Sequence, residues 1–138
     1  MLGVPAWQRD AAPNDSDKSF TVPEWKAWRL ESVFWELVAS GTAGNRAVVI
    51  EIKDSGGSTI YLGPAISYIS ASVTGRGTAF PGNALSTATV TAQQFPLIRA
   101  LLPAGCMVRV YDSASIDAAA DDLTVALHYV ELNAEDFL

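Results

Sequence analysis

Residues 43–61, AGNRAVVIEIKDSGGSTIY, write a β-hairpin. Within it Val48, Ile50 and Ile52 alternate with Val49, Glu51 and Lys53, so one face is fully apolar and the other turns polar toward Lys53. This is the period of a half-buried strand. Asp54, Ser55, Gly56 and Gly57 follow as small residues that accept positive φ, and Thr59, Ile60 and Tyr61 resume β-favouring character in a return strand. Upstream, Gly44 and Asn45 are the residues suited to a positive-φ turn. A chain organised around such a hairpin is expected to be built from sheets.

The remaining composition narrows the class. A length of 138 residues fits one domain with one core. Charged residues make up 17%, against roughly 25% in ordinary soluble domains, so some apolar surface is expected to meet a partner. The net charge of −6, with nine Lys and Arg dispersed singly, opposes a phosphate backbone, and nucleic acid is not expected as a partner. No apolar run approaches the about 18 residues of a membrane span, and the first residues lack the basic-then-apolar pattern of a secretory leader. A soluble, intracellularly made chain with no membrane partner is the expectation. The single Cys106, in an apolar run, reads as a small hydrophobe.

Residues 1–20 mix Pro5, Pro13, Asn14 and Asp15 with one large aromatic, Trp7, and show neither periodicity, which predicts an extended N-terminal arm. Trp7 reads as that arm's anchor on a neighbouring subunit, against the alternative of a frayed end. Residues 21–40 carry two patterns. Thr21 with Glu24 resembles a helix-capping box, and Leu30, Val33, Phe34, Leu37 and Val38 follow helical spacing. Against this, the segment is rich in aromatic and β-branched residues, and Trp28, Leu30, Ser32 and Phe34 share one parity while Val33, Trp35, Leu37 and Ala39 share the other, as in a long strand with a bulge near Val33.

Further strands are expected at residues 65–74, 78–80, 87–91, 106–111 and 123–132, separated by turn signals. The fold class is therefore all-β: a single-domain β-sandwich or jelly roll of about eight antiparallel strands over residues 21–138, preceded by the arm.

Catalytic constellations are hard to assemble. His128 is the one histidine, so neither a multi-histidine metal site nor a Ser-His-Asp triad with a G-x-S-x-G elbow can be drawn, and it reads as a surface cross-strand residue. Burial would raise the pKa of a Cys106 nucleophile. Asp112, Asp117, Asp121 and Asp122 lack EF-hand spacing and read as a solvated acidic loop. Glu31, Glu36 and Glu51 read as solvent-facing. No enzyme activity, metal or cofactor is expected. Trp35 reads as core, whereas Trp25 and Trp28, beside Pro23, Glu24, Lys26 and Arg29, read as rim residues that with Trp7 form an interface.

Residues 28–39 followed by Gly44-Asn45-Arg46-Ala47-Val48-Val49-Ile50, then Leu101-Leu102-Pro103-Ala104-Gly105, Val108-Arg109-Val110-Tyr111-Asp112 and residues 117–125 occur in a telling order. In these pieces the chain resembles a family of small jelly-roll structural proteins of tailed bacteriophages, over about residues 25–131. The resemblance tips the second half of residues 21–40 to strand. It implies a virion protein made in the bacterial host cytoplasm, such as a capsid decoration or cement protein that stabilises the assembled head. Its implied partners are the major capsid protein, other virion subunits and copies of itself in a homo-oligomer such as a trimer. The alternative is a phage tail, receptor-binding or carbohydrate-binding module, with Trp25, Trp28 or Tyr68 stacking on sugar rings.

Overall fold

The computed structural model describes residues 3–63, 68–85 and 89–137. Among them are ten strands: β1 (Val4–Asp10), β2 (Asp17–Thr21), β3 (Lys26–Val38), β4 (Val48–Lys53), β5 (Thr59–Leu62), β6 (Thr74–Phe80), β7 (Gln93–Pro96), β8 (Leu101–Pro103), β9 (Met107–Asp112) and β10 (Asp122–Asn133), with a 3-10 turn at Ala134–Phe137. One sheet runs β1-β10-β3-β6-β7, with β8 also paired to β3, and the other runs β2-β9-β4-β5. The expected all-β sandwich is what forms. It has ten strands where about eight were expected, and β6–β7 is a parallel pair in a fold expected to be wholly antiparallel.

The hairpin read from the sequence is β4–β5, with Ile52 opposite Tyr61. Asp54 closes its turn by accepting from the backbone N–H of Gly56 and Ser58, each at 2.9 Å. Both faces of β4 are covered, so Glu51 is buried and not solvent-facing. A buried carboxylate needs donors, and Glu51 accepts from Thr59 Oγ1 at 2.6 Å and Arg109 Nη1 at 3.3 Å. The Thr59 hydroxyl is the largest influence holding its carboxyl below the ordinary range, in spite of desolvation. Arg109 also donates to Asp17, at 2.7 Å from Nη2, and this polar ladder ties β2, β9, β4 and β5 together on the outer face.

Residues 26–38 form one long strand, which settles the helix-or-strand ambiguity. Ser32 and Leu30 pair with the consecutive residues His128 and Tyr129, leaving Glu31 as the extra residue of a β-bulge. The bulge flips parity, so Trp28 and Leu30 face the core before it and Val33, Trp35 and Leu37 after it. These side chains meet Leu123, Val125, Leu127 and Tyr129 of β10, and Ile50, Ile52, Val108 and Val110 from the opposite sheet.

The segment expected as an arm lies in the sheets of its own chain. β1 pairs with β10 and β2 with β9. An edge strand whose residues are mostly exposed carries no hydrophobic period, which is why VPAWQRD reads as a tail. In β2 the inward positions are Phe20 and Lys18; Lys18 is buried, donating to the Ala12 carbonyl at 2.8 Å and Asp15 at 3.3 Å.

The acidic loop is also corrected. Asp112 and Asp121 are buried because they serve as caps for backbone N–H groups, Asp112 for Ala47 and Ala114 (3.0 Å each) and Asp121 for Ser40 (2.8 Å). The strand expected at residues 65–74 falls partly outside the described residues; in its described part Ile69 makes one isolated bridge to Arg46, and β6 starts at Thr74. That at 87–91 falls partly outside them too, and residues 89–91 are not strand.

Of the two expected turn residues only Gly44 has positive φ, at 134°. A Cβ there would sit 2.9 Å from Ile116 Cδ1. Gly44→Val is therefore expected to lower stability by about 2 kcal/mol, the scale of backbone strain in a β-branched residue, and unchanged thermal melting would contradict it.

Candidate functional site

The three tryptophans expected at an interface have separate fates. Trp28 is a correction: it is 0% exposed, stacked on Tyr129 with ring centroids 4.2 Å apart, and its indole N–H donates to Glu131 Oε2 at 2.9 Å. Its inward parity ahead of the Glu31 bulge makes it core, so it can touch no partner. Trp7 is 65% exposed on β1, opposite the exposed His128, whose Nδ1 lies 3.3 Å from Ser32 Oγ. His128 thus occupies the surface cross-strand position expected of it. Phe34 and Phe80 are exposed on strands of the same sheet.

Trp25 is 80% exposed, the most open of the large apolar side chains among the described residues. The turn ahead of β3 puts it there: Lys26 N–H donates to the Pro23 carbonyl at 3.2 Å, and Ala134 N–H donates to the Trp25 carbonyl at 2.8 Å. The apparent capping box thus caps no helix: Thr21 ends β2 and Glu24 lies in the turn that follows. Trp25 adopts the left-handed conformation, φ 64°, which costs a bulky residue about 1–3 kcal/mol. Such strain persists only where the surrounding structure enforces it, and it clusters at ligand-binding positions.

Beside the indole lies an open depression of about 540 Å³ walled by Ala27, Leu101, Pro103, Ala104 and Ala134. On its other flanks Trp25 borders a depression of about 200 Å³ with Asn133 and Glu135, and one of about 280 Å³ with Glu24 and Ala104. Lys26, at its foot, donates to Asn133 Oδ1 at 2.7 Å and lies 4.0 Å from Glu131. Sequence reading missed this groove because its walls come from β3, β8 and the chain's last turn. The available signal was a tryptophan next to Pro23 and Glu24, in a segment otherwise turned inward.

The nucleophile candidate Cys106 is buried, and desolvation first, then Asp54, pushes its thiol above the ordinary value. The surface feature assembled here is an exposed aromatic beside an apolar depression, with carboxylates on its other flanks.

No protein-family model matches the chain, and no curated protein matches it. Solved structures similar to it include a chain of infectious bursal disease virus Gx strain, at 7% identity and a TM-score of 0.38 over 94% of this chain and 32% of that one. The chain thus spans about a third of that protein's length. A chain of the cyanophage Pam1 capsid asymmetric unit is 16% identical with a TM-score of 0.38, over 94% of this chain and 86% of that one. The arabinose-bound α-L-arabinofuranosidase MgGH51 is 8% identical with a TM-score of 0.35, over 95% of this chain and 17% of that one.

Proposed function

We propose that this chain is a non-enzymatic structural component of a phage virion, and within that class a decoration or cement protein that adheres to the assembled head. The observation that carries the reading is Trp25, 80% exposed and held in a strained conformation beside an apolar groove. Large exposed aromatics, tryptophan above all, are the usual anchors of protein interfaces. The bacteriophage resemblance of residues 25–131 supplies the setting, and the charged fraction of 17% agrees with surface destined to be covered. Adhesion in this reading uses Trp25 and the Trp7-bearing outer face of β1, with the major capsid protein as principal partner and copies of the same chain as neighbours. A sugar-stacking platform loses Trp28, which is buried, although Trp25 and Tyr68 remain exposed.

The test is rebinding. Phage particles assembled without this gene product are mixed with the purified chain and sedimented. The expected result is saturable co-sedimentation at a fixed number of copies per particle. A chain that stays in the supernatant at all concentrations would contradict the proposal.

A further inference from the structure

We propose that the Trp25 groove is a docking site for a segment of another protein that sets an apolar side chain beside lysine or arginine. The inference rests on the adhesive reading above and names the chemistry of its partner. The apolar side chain would enter the depression walled by Leu101, Pro103 and Ala104, against one side of the indole. The cation would lie toward Glu24 and Glu135, which border the other depressions along the same ring. A guanidinium or ammonium over an indole face is attracted by the ring quadrupole, and two flanking carboxylates add to that attraction.

The local charge selects against the nearest alternative, a second copy of this chain. Lys26 is already engaged by Asn133 and Glu131, so Glu24 and Glu135 leave the rim acidic. A second copy would bring the same acidic rim and a net charge of −6. Its cations are largely committed: Lys18 and Arg46 are buried, and Arg29, Arg76 and Arg109 are ion-paired to Glu31, Glu36 and Asp17. A basic, apolar-tipped segment from another protein meets no such opposition.

Trp25 is also held in this conformation at a cost to the fold. An 80% exposed side chain contributes little packing, while its φ of 64° suits glycine or asparagine. Trp25→Gly and Trp25→Asn should therefore fold, melt above the wild type and fail to bind.

The experiment titrates the full chain with labelled synthetic peptides carrying a leucine between two arginines, the same leucine between two glutamates, or a serine between two arginines. The expected result is binding of the Arg-Leu-Arg peptide alone, weakened about tenfold or more by Trp25→Gly, as for an aromatic interface anchor. The double variant Glu24→Gln, Glu135→Gln should flatten its salt dependence. Binding of none of the peptides, equal binding of the glutamate peptide, unchanged binding by Trp25→Gly, a lower melting temperature for both Trp25 variants, or Trp25-dependent self-association in sedimentation would each overturn the proposal. Peptide binding by a chain that ignores phage particles would keep the groove and remove the virion reading. Particle binding that survives Trp25→Gly would do the reverse.

Discussion

Arg46→Met should destabilise the fold by about 3–5 kcal/mol, the cost of leaving a buried carboxylate without its cation. Arg46 and Asp121 are both fully buried, with Nε to Oδ2 at 3.0 Å and Nη2 to Oδ1 at 3.3 Å. The guanidinium also donates to the Gly44 carbonyl at 2.8 Å and to Ser40 Oγ at 3.1 Å. Ser40 and Thr42 in turn donate to Asp117, both at 2.7 Å, and these hydroxyls, Thr42 first, hold its carboxyl below the ordinary range. One side chain thus joins the loop after β3, the turn before β4 and the loop before β10. Domains of this kind have about 5–15 kcal/mol in total, so the loss is large enough to bring the variant near unfolding. Urea denaturation with an unchanged slope checks it. Replacing both partners by apolar residues, Arg46→Met with Asp121→Leu, should recover part of the loss, because no lone charge then stays buried. A loss for Arg46→Met below about 1 kcal/mol would place the pair in the class of exposed ion pairs and contradict the reading.

Gly77→Val should cost about 3 kcal/mol, for a different reason. Gly77 lies on β6 opposite Trp35, and a Cβ built on it would meet the indole Cε2 and Nε1 at 2.4 Å. Conformational preference alone favours a β-branched residue in a strand, by up to about 1 kcal/mol. Here the clash wins, because Trp35 is fully buried against Phe95 and has no room to swing away. Overpacking of a rigid core costs about 1–3 kcal/mol, and this contact lies at the severe end. The two sites should be strongly coupled: with Trp35→Leu in the background, Gly77→Val should cost much less than alone. Thermal melting of the four proteins of that cycle measures it, and additive effects would show that the indole does not depend on the glycine. Among the described residues the buried Trp35 N–H has no hydrogen-bond partner.

What the sequence disclosed follows how local each feature is. The β4–β5 hairpin was legible because its alternation, its Asp54–Gly57 turn and its return strand are contiguous. β3 was half legible: both parities of its apolar residues were visible, and the single extra residue Glu31 reconciles them. β1 was hidden because an edge strand exposed at most of its positions shows no hydrophobic period, and β2 because one of its two inward positions is a lysine. Trp25 and Trp28 looked alike, three positions apart and each next to a charged residue, yet the Pro23 turn leaves one in solvent and the strand carries the other into the core. Arg46 and Asp121 are 75 residues apart, beyond any local pattern, and so Asp121 read as part of a solvated loop. The groove was invisible for the same reason, since Leu101 and Ala134 meet Trp25 only through the sheet.

The central claim is adhesion through an exposed aromatic on a β-sandwich, and a three-dimensional reconstruction of phage particles with and without this gene product tests it most directly. The account predicts a difference density the size and shape of the sandwich on the particle, with Trp25 at the contact. Identical reconstructions, or a density that faces Trp25 into open solvent, would contradict it.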